Sequence, residues 1–349
     1  MPSSSCIEHN CGFSISYSEG SSLRGIFTMQ EVYLERINKN PKISSKSFKL
    51  PIGCTTTETH LFTTQLADGI MGLNNSGKSF ISLLYNQKVI SNNMFTICFG
   101  QKDGYFSIGE IDKTYHKSDI EYVPFSPGES YFYIQINKIE IGGKNITPNY
   151  RGFIDSGTTI SYFPNEIYDE IMKEFNSICN KLKGKCGTFK NVENLGYCAT
   201  FENEEDKKKA LDEYWPNIFF YFEGHTYNLT ANDYYYDYVD EIRSGACLGF
   251  EGERASKITL GGTFMHGHDI IFDRKNQKIG FVVADCNRNN TEENNKSVKL
   301  EEEITNNEND KINGFINSKN FVFYMIITFS SILILVILFM IIIYLKKKT

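Results

Sequence analysis

Gly152-Phe-Ile-Asp-Ser-Gly-Thr-Thr-Ile-Ser-Tyr-Phe-Pro164 is the stretch on which the reading of this chain turns. Phe153 and Ile154 read as the apolar end of a strand, and Gly157 permits a tight turn directly after it. A strand of this kind delivers one carboxylate, Asp155, to a turn. There, hydroxyls and backbone N–H groups can hold it. Taken alone, Asp155 could equally be a turn residue bonded to its own backbone. The surrounding sequence decides between the two.

Outward from that turn, residues 12–286 read as β-rich. Apolar runs such as Phe13-Ser-Ile-Ser-Tyr17, Tyr131-Phe-Tyr-Ile-Gln-Ile136 and Asp269-Ile-Ile-Phe-Asp273 are broken by Gly, Asn and Pro. Helical patterns are few, at Ser79 to Gln87, Pro164 to Lys183 and Glu204 to Glu213. Pro164 suits a first helical position, with Ile167, Ile171 and Phe175 following at helical spacing. The fold class expected is all-β with a few short helices. At 349 residues, 41% apolar and 14% aromatic, the chain can bury a large core as one big domain or two lobes. Its net charge of −6, with no basic block before the last residues, argues against nucleic acid as a partner.

Nine cysteines, Cys6, Cys11, Cys54, Cys98, Cys179, Cys186, Cys198, Cys247 and Cys286, are widely spread with no Cys-x-x-Cys pair, which favours disulfides over zinc. Sequons for N-glycosylation start at Asn74, Asn145, Asn228, Asn289 and Asn295. Residues 321–345 form an apolar run closed by Lys346-Lys347-Lys348, long enough for a transmembrane helix. The lysines should face the cytosol and the globular part the lumen or the cell exterior. Lys346 and Lys347 also fit a dilysine endoplasmic-reticulum retrieval signal, or simple stop-transfer charge. Residues 287–320, with seven acids against five bases and few apolar residues, read as a solvated stalk. The first residues, Met1-Pro-Ser-Ser-Ser-Cys6, hold no apolar run that could be a signal peptide. A cytosolic domain would not keep disulfides, so the expectation is that an N-terminal portion lies outside this sequence. A weak internal repeat points the same way. Ala67-Asp-Gly-Ile-Met-Gly-Leu73 and Lys257-Ile-Thr-Leu-Gly-Gly262 both place glycine after apolar residues, the second about a hundred residues after the Asp155 turn.

These residues together resemble the pepsin-like aspartic peptidase family, in its cysteine-rich, membrane-anchored type, similar to plasmepsin V and ciliate members. Asp155-Ser-Gly-Thr-Thr159 resembles the family's second catalytic turn, and Ile15-Ser-Tyr-Ser-Glu-Gly-Ser-Ser-Leu-Arg-Gly25 its flap hairpin, with Tyr17 at the flap tyrosine position. Ala67 to Leu73 resembles the first apolar-glycine loop. Ile258 to Phe264 with Ile270 to Phe281 resembles the end of the fold. The resemblance implies a bilobal acid-protease fold with an incomplete N-terminal lobe. Residues 1–130 would be the partial first lobe with the flap and 131–286 the second lobe. A stalk at 287–320, a membrane helix at 321–345 and a short tail at 346–349 would follow. It also implies disulfides Cys198–Cys247, Cys54–Cys98 and Cys179–Cys186, leaving Cys6, Cys11 and Cys286.

The implied activity is aspartic endopeptidase chemistry without cofactor, metal or covalent intermediate. Two carboxylates sharing one proton titrate as a unit; one activates water while the other polarises the scissile carbonyl. Asp155 would be one of the two, with Ser156, Gly157 and Thr158 holding its oxygens and the opposite loop. Tyr17 would close over a peptide substrate. The first catalytic Asp is not in this sequence. The alternative is therefore a catalytically inactive pseudopeptidase, a peptide-binding or receptor-like membrane protein. A monomer is expected, because the first-lobe residues present would obstruct pairing of two Asp155 turns. Among other candidates, His266-Gly-His268-Asp269 reads as exposed loop histidines rather than a metal site. Cys6 and Cys11 near His9 read as disulfide rather than zinc cysteines. Asp68 belongs to a structural loop, and Tyr234-Tyr-Tyr236 packs or lines a cleft.

Overall fold

The computed structural model describes residues 3–287 except 8–9, 18–19, 34–46, 65–66, 102, 194 and 240–243. The expected membrane segment 321–345, its lysines and nearly all of the stalk lie outside the described residues. Among the described residues no helix is long and apolar enough to cross a membrane. Met1–Arg288 forms one unit by itself.

The chain opens with an antiparallel sheet of β1 (Ser3–Ile7), β2 (Asn10–Ser16), β3 (Ser22–Tyr33) and β4 (Ser47–Glu58), paired in that order. Phe13 packs where Gly25 and Gly53 leave room; a Cβ on either glycine would stand 2.8 Å from its ring. This sheet is poorly covered. Ile26, Met29 and Ile52 are exposed, Met29 by 62%. Leu50 is buried on α1 (Phe80–Asn86), whose Leu84 it joins in a small core with Phe48.

Three further strands follow: β5 (Met94–Phe99), β6 (Gly104–Ile108) and β7 (Glu121–Pro124). The second part of the unit holds β8 (Tyr133–Ile141), β9 (Lys144–Ile154), β10 (Ser161–Pro164), α2 (Asn165–Lys181), β11 (Thr188–Val192), β12 (Gly196–Phe201) and α3 (Glu204–Lys209). Then come β13 (Ile218–Phe222), β14 (His225–Leu229), α4 (Ala231–Tyr234), β15 (Tyr235–Val239), β16 (Ser244–Leu248) and β17 (Phe250–Glu253). The last elements are β18 (Ile258–Leu260), α5 (Gly262–Met265), β19 (His268–Asp273) and β20 (Lys278–Val283).

A seven-stranded sheet runs β14-β13-β8-β9-β18-β10-β17, a four-stranded one β11-β12-β16-β15, and a five-stranded one β6-β5-β19-β20-β7. The five-stranded sheet mixes strands from both sides of the expected 130/131 boundary, so that boundary does not divide the hydrogen-bonded framework. Its central strand β19 is buried along its whole length, which is why Ile270-Ile-Phe272 is continuously apolar rather than alternating.

The helices follow their local chemistry. Pro164 caps α2 rather than occupying its first turn, and Ile167, Ile171 and Phe175 bury the expected stripe together with Met172 and Cys179. Asn203 caps α3 by accepting from the Asp206 N–H, with three acids in the first turn and three lysines in the last, favourable at both ends of the helix dipole. Trp215, just after it, stacks on Phe189 and Tyr234 and donates its Nε1–H to Cys186 O at 3.1 Å. Tyr234 is thus core, not cleft, and its hydroxyl donates to Pro216 O.

The structure forms the disulfides Cys98–Cys286, Cys179–Cys186 and Cys198–Cys247. The expected Cys54–Cys98 bridge is not formed. Cys98 sits in β5 next to β19, where the chain end after β20 returns and brings Cys286 to it; Cys54 is an exposed free thiol on β4. Cys11 is disulfide-bonded, and Cys6 stands opposite it in the β1–β2 register. The histidines of 266–268 also correct the sequence expectation. His268 is buried against the Tyr227 ring at 4.4 Å, and His266 is half-buried with Nδ1 3.0 Å from Asp233 O. His268 is buried because it opens β19, a central strand. Next to it, fully buried Asp269 pairs with His116 Nε2 at 2.9 Å.

Two outcomes are expected. Cys98→Ser and Cys286→Ser should each cost about 2–5 kcal/mol in urea unfolding, and the double variant no more than either single, as one bridge requires. Burial holds the imidazoles of His225, His266 and His268 below their ordinary range. The unfolded chain binds protons below about pH 6.5 that the fold refuses, so stability should fall as pH drops below that value. Asp269 works in the opposite sense, because burial raises its carboxyl despite His116, Thr96 and Tyr105 beside it, and its protonation favours the fold. A urea-midpoint series from pH 7 to 5 should slope downward, by at most about 1.4 kcal/mol per pH unit for each histidine, and His268→Phe should flatten it.

Candidate active site

The Asp155 turn connects β9 to β10, yet these two strands do not pair with each other. β18 lies between them, parallel to β9 and antiparallel to β10. The connection must therefore arch over the end of β18, and the register Leu260↔Ile154 brings that end directly beneath the turn. The Asp155 N–H donates to Leu260 O at 3.0 Å. Beyond β18, the Gly262 N–H donates to Thr158 O at 2.7 Å and the Thr263 N–H to Thr159 O at 3.1 Å. Three backbone bonds thus fasten the turn to the start of α5.

Within the turn, each carboxylate oxygen of Asp155 receives one hydrogen bond. The Gly157 N–H donates to Oδ1 at 2.9 Å and the Thr158 hydroxyl to Oδ2 at 2.7 Å. Such bonds to a carboxylate are short and strong. Each oxygen keeps acceptor capacity on its outward side, and the residue is partly open to solvent. A carboxylate so placed can accept a proton from a bound water. Ser156 is exposed and makes no hydrogen bond among the described residues, so the structure brings Gly157 and Thr158, but not Ser156, onto Asp155. No hydrogen bond or ion pair joins Asp155 to a second carboxylate among the described residues. The described residues also hold no cluster of three or more His, Cys, Asp or Glu side chains suited to a metal ion.

Tyr17 occupies the turn between β2 and β3, in a different sheet from Asp155. Its N–H donates to Ser21 O, and its ring centroid lies 5.1 Å from that of Phe62.

The residues that sequence reading missed are Leu260, Gly261 and Gly262. Their signal was the paired glycine after an apolar strand. A Cβ on Gly261 would stand 2.3 Å from Ile160 O and 2.7 Å from Thr158 O. The partner stretch of the internal repeat behaves differently. Ile70 and Met71 are exposed by 56% and 47%, and a Cβ on Gly69 or Gly72 would meet nothing within 4 Å. One repeat supports a carboxylate turn; the other meets the start of α1, where Gly72 O accepts from the Phe80 N–H at 3.3 Å. Gly261→Ala should therefore push β18 away from the turn and lower stability by about 1–3 kcal/mol in urea unfolding, whereas Gly72→Ala should change it by less than about 0.5 kcal/mol.

Comparison with known proteins places this geometry. Residues 1–284 match the family model of eukaryotic aspartyl proteases. The chain is similar to aspartic proteinase 36 of Arabidopsis thaliana, 24% identical over 82% of this chain and 60% of that protein. It is also similar to plasmepsin V of Plasmodium falciparum, 24% identical over 82% of this chain and 60% of the relative. Pepsin A of Gallus gallus is 26% identical over 61% and 54% respectively. The chain spans about 60% of the length of the first two. With its family model covering most of its length and its carboxylate turn built over an inserted strand, this chain belongs to the eukaryotic aspartyl protease family.

Proposed function

We propose that this chain carries one half of an aspartic endopeptidase site, with Asp155 as one carboxylate of the dyad and the second supplied by polypeptide outside this sequence. The observation that carries the reading is the Asp155 turn itself: both oxygens oriented, the backbone fixed from below, and the outer side open for water and a peptide carbonyl. The uncovered Ile70–Met71 loop supports it further. It repeats the pattern of the stretch that cradles Asp155, and it has free space where a second turn would pack.

In the full site the paired carboxylates would share one proton. The ionised member would take a proton from water while the protonated member donates to the scissile carbonyl. Thr158 and Gly157 orient Asp155, and Tyr17 on its hairpin closes over the bound peptide. The apolar 321–345 segment would anchor the domain on the lumenal or extracellular side of a membrane. Three disulfides with well-buried sulfurs support an oxidising compartment.

The test is a peptide-cleavage assay on two proteins, the chain as given and a product that joins it to an upstream Asp-Thr/Ser-Gly turn. The chain as given should show no pepstatin-sensitive turnover. The longer product should cleave, and Asp155→Asn should lower its kcat by about a thousandfold, in line with losing a general acid–base group. Cleavage that survives Asp155→Asn would remove the proposal. A longer product that binds peptide and pepstatin without cleaving would favour the pseudopeptidase.

A further inference from the structure

Three of the sequons fall in described residues, and they differ in setting. Asn74 uses its Oδ1 to accept from the Ser76 N–H at 3.2 Å, closing a local turn. Asn145 and Asn228 are exposed, and neither side-chain amide is engaged by another residue among those described. Their places in the sheet are related. Asn145 on β9 stands opposite Glu140 on β8, Glu140 opposite Phe219 on β13, and Phe219 opposite Asn228 on β14. The two asparagines thus end one row across four strands. At about 4.8 Å between strands, they are about 14 Å apart on one face.

That face is the solvated one. On β14 the neighbours of Asn228, Tyr227 and Leu229, are buried on the other side, as is Ile146 beside Asn145. The adjacent row is polar: Lys138 lies over the Tyr221 ring at 3.5 Å, and both it and the Tyr221 hydroxyl donate to Glu140 Oε2. β14 is also the terminal strand of the sheet, so among the described residues one of its backbone edges has no pairing strand.

We propose that Asn145 and Asn228 are both N-glycosylated, so that two oligosaccharides stand on the outer face of the seven-stranded sheet and one of them covers its β14 edge. The donor class is an oligosaccharide carried on a polyisoprenyl diphosphate. The side-chain Nδ2 forms the bond to the sugar C1, the C1–O bond to diphosphate breaks, the polyisoprenyl diphosphate leaves, and the amide proton passes to a base of the transferring enzyme. The hydroxyls two residues on, Thr147 and Thr230, complete both acceptor sites. Neither sugar displaces a packed side chain in the folded domain, because both amides already project into solvent. The three disulfides are in keeping with an oxidising compartment, the kind in which this transfer occurs. A glycan on the terminal strand also does what charged residues do on other exposed edges, blocking addition of a further strand from a second chain. The glycosylated face is then closed to protein partners.

The test uses the full-length product purified from the cells that make it. Peptides spanning residues 145 and 228 are mapped by mass spectrometry after peptide N-glycanase treatment in ¹⁸O-labelled water. Both should carry ¹⁸O-labelled Asp, and Asn145→Gln and Asn228→Gln should each remove one step from the glycanase-sensitive gel shift, the double variant two. Unmodified Asn at either position in most molecules would overturn the proposal, whether or not the variants fold. That failure would leave the Asp155 reading standing, since neither asparagine touches that turn.

Discussion

Everything at the candidate site depends on one strand being threaded between two others. β9 and β10 would pair as a simple hairpin if nothing intervened, and Asp155 would then sit at a mobile tip. Insertion of β18 separates them and gives the turn a floor: Leu260 O beneath the Asp155 N–H, and the Gly262 and Thr263 N–H groups beneath Thr158 and Thr159. The geometry demands glycine at 261, where only a hydrogen fits under two carbonyl oxygens. Such a floor fixes the direction in which the carboxylate points, and the backbone provides it together with the Thr158 hydroxyl.

The same economy of support appears around β19. This strand is buried along its whole length, yet it begins with His268-Asp269 and ends with Asp273. Each of these side chains has at least one partner, His268 through its Nδ1 at 2.8 Å from His266 O. Asp269 takes His116, which ties the 113–118 segment across the sheet. Asp273 accepts from both the Asn276 N–H and its side-chain amide. Arg274, beside it, is largely buried and among the described residues donates only to neutral oxygens, those of Ser76, Ser79, Asn75 and Asn93. Burial lowers its guanidinium from the usual range, and the cation is held by oriented dipoles rather than by a counter-charge. These bonds fasten the loop after Leu73 to the turn following β19, joining parts of the chain about two hundred residues apart.

How much of this could be read beforehand follows from range. The Asp155 turn, the helix at 165–181 and the strands were legible because they rest on local patterns: glycine after an apolar run, and a stripe at helical spacing. The β18 insertion was only half legible, since two glycines announce a close approach without naming what approaches. The Cys98 pairing was not legible at all. Its partner is 188 residues away and is chosen by strand order in a sheet that draws on both ends of the chain. The histidines near 266 were misjudged for the same reason. A sequence does not show that the strand His268 opens will be central. The exposure of Ile70 and Met71 also had no local sign, for their pattern is identical in kind to one that is fully packed.

The bridge from Cys98 to Cys286 has a mechanical consequence. Cys286 is three residues past the end of β20, so any tension on the chain beyond residue 287 would otherwise be applied at a strand end, peeling β20 from β19 one hydrogen bond at a time. The disulfide diverts that load. It passes across the S–S bond into β5, which pairs with β19 on one side and β6 on the other, and the pull is resisted by strands loaded together. Residues beyond Cys286 are thus tied to two interior strands of the five-stranded sheet, on either side of β19, and not to β20 alone.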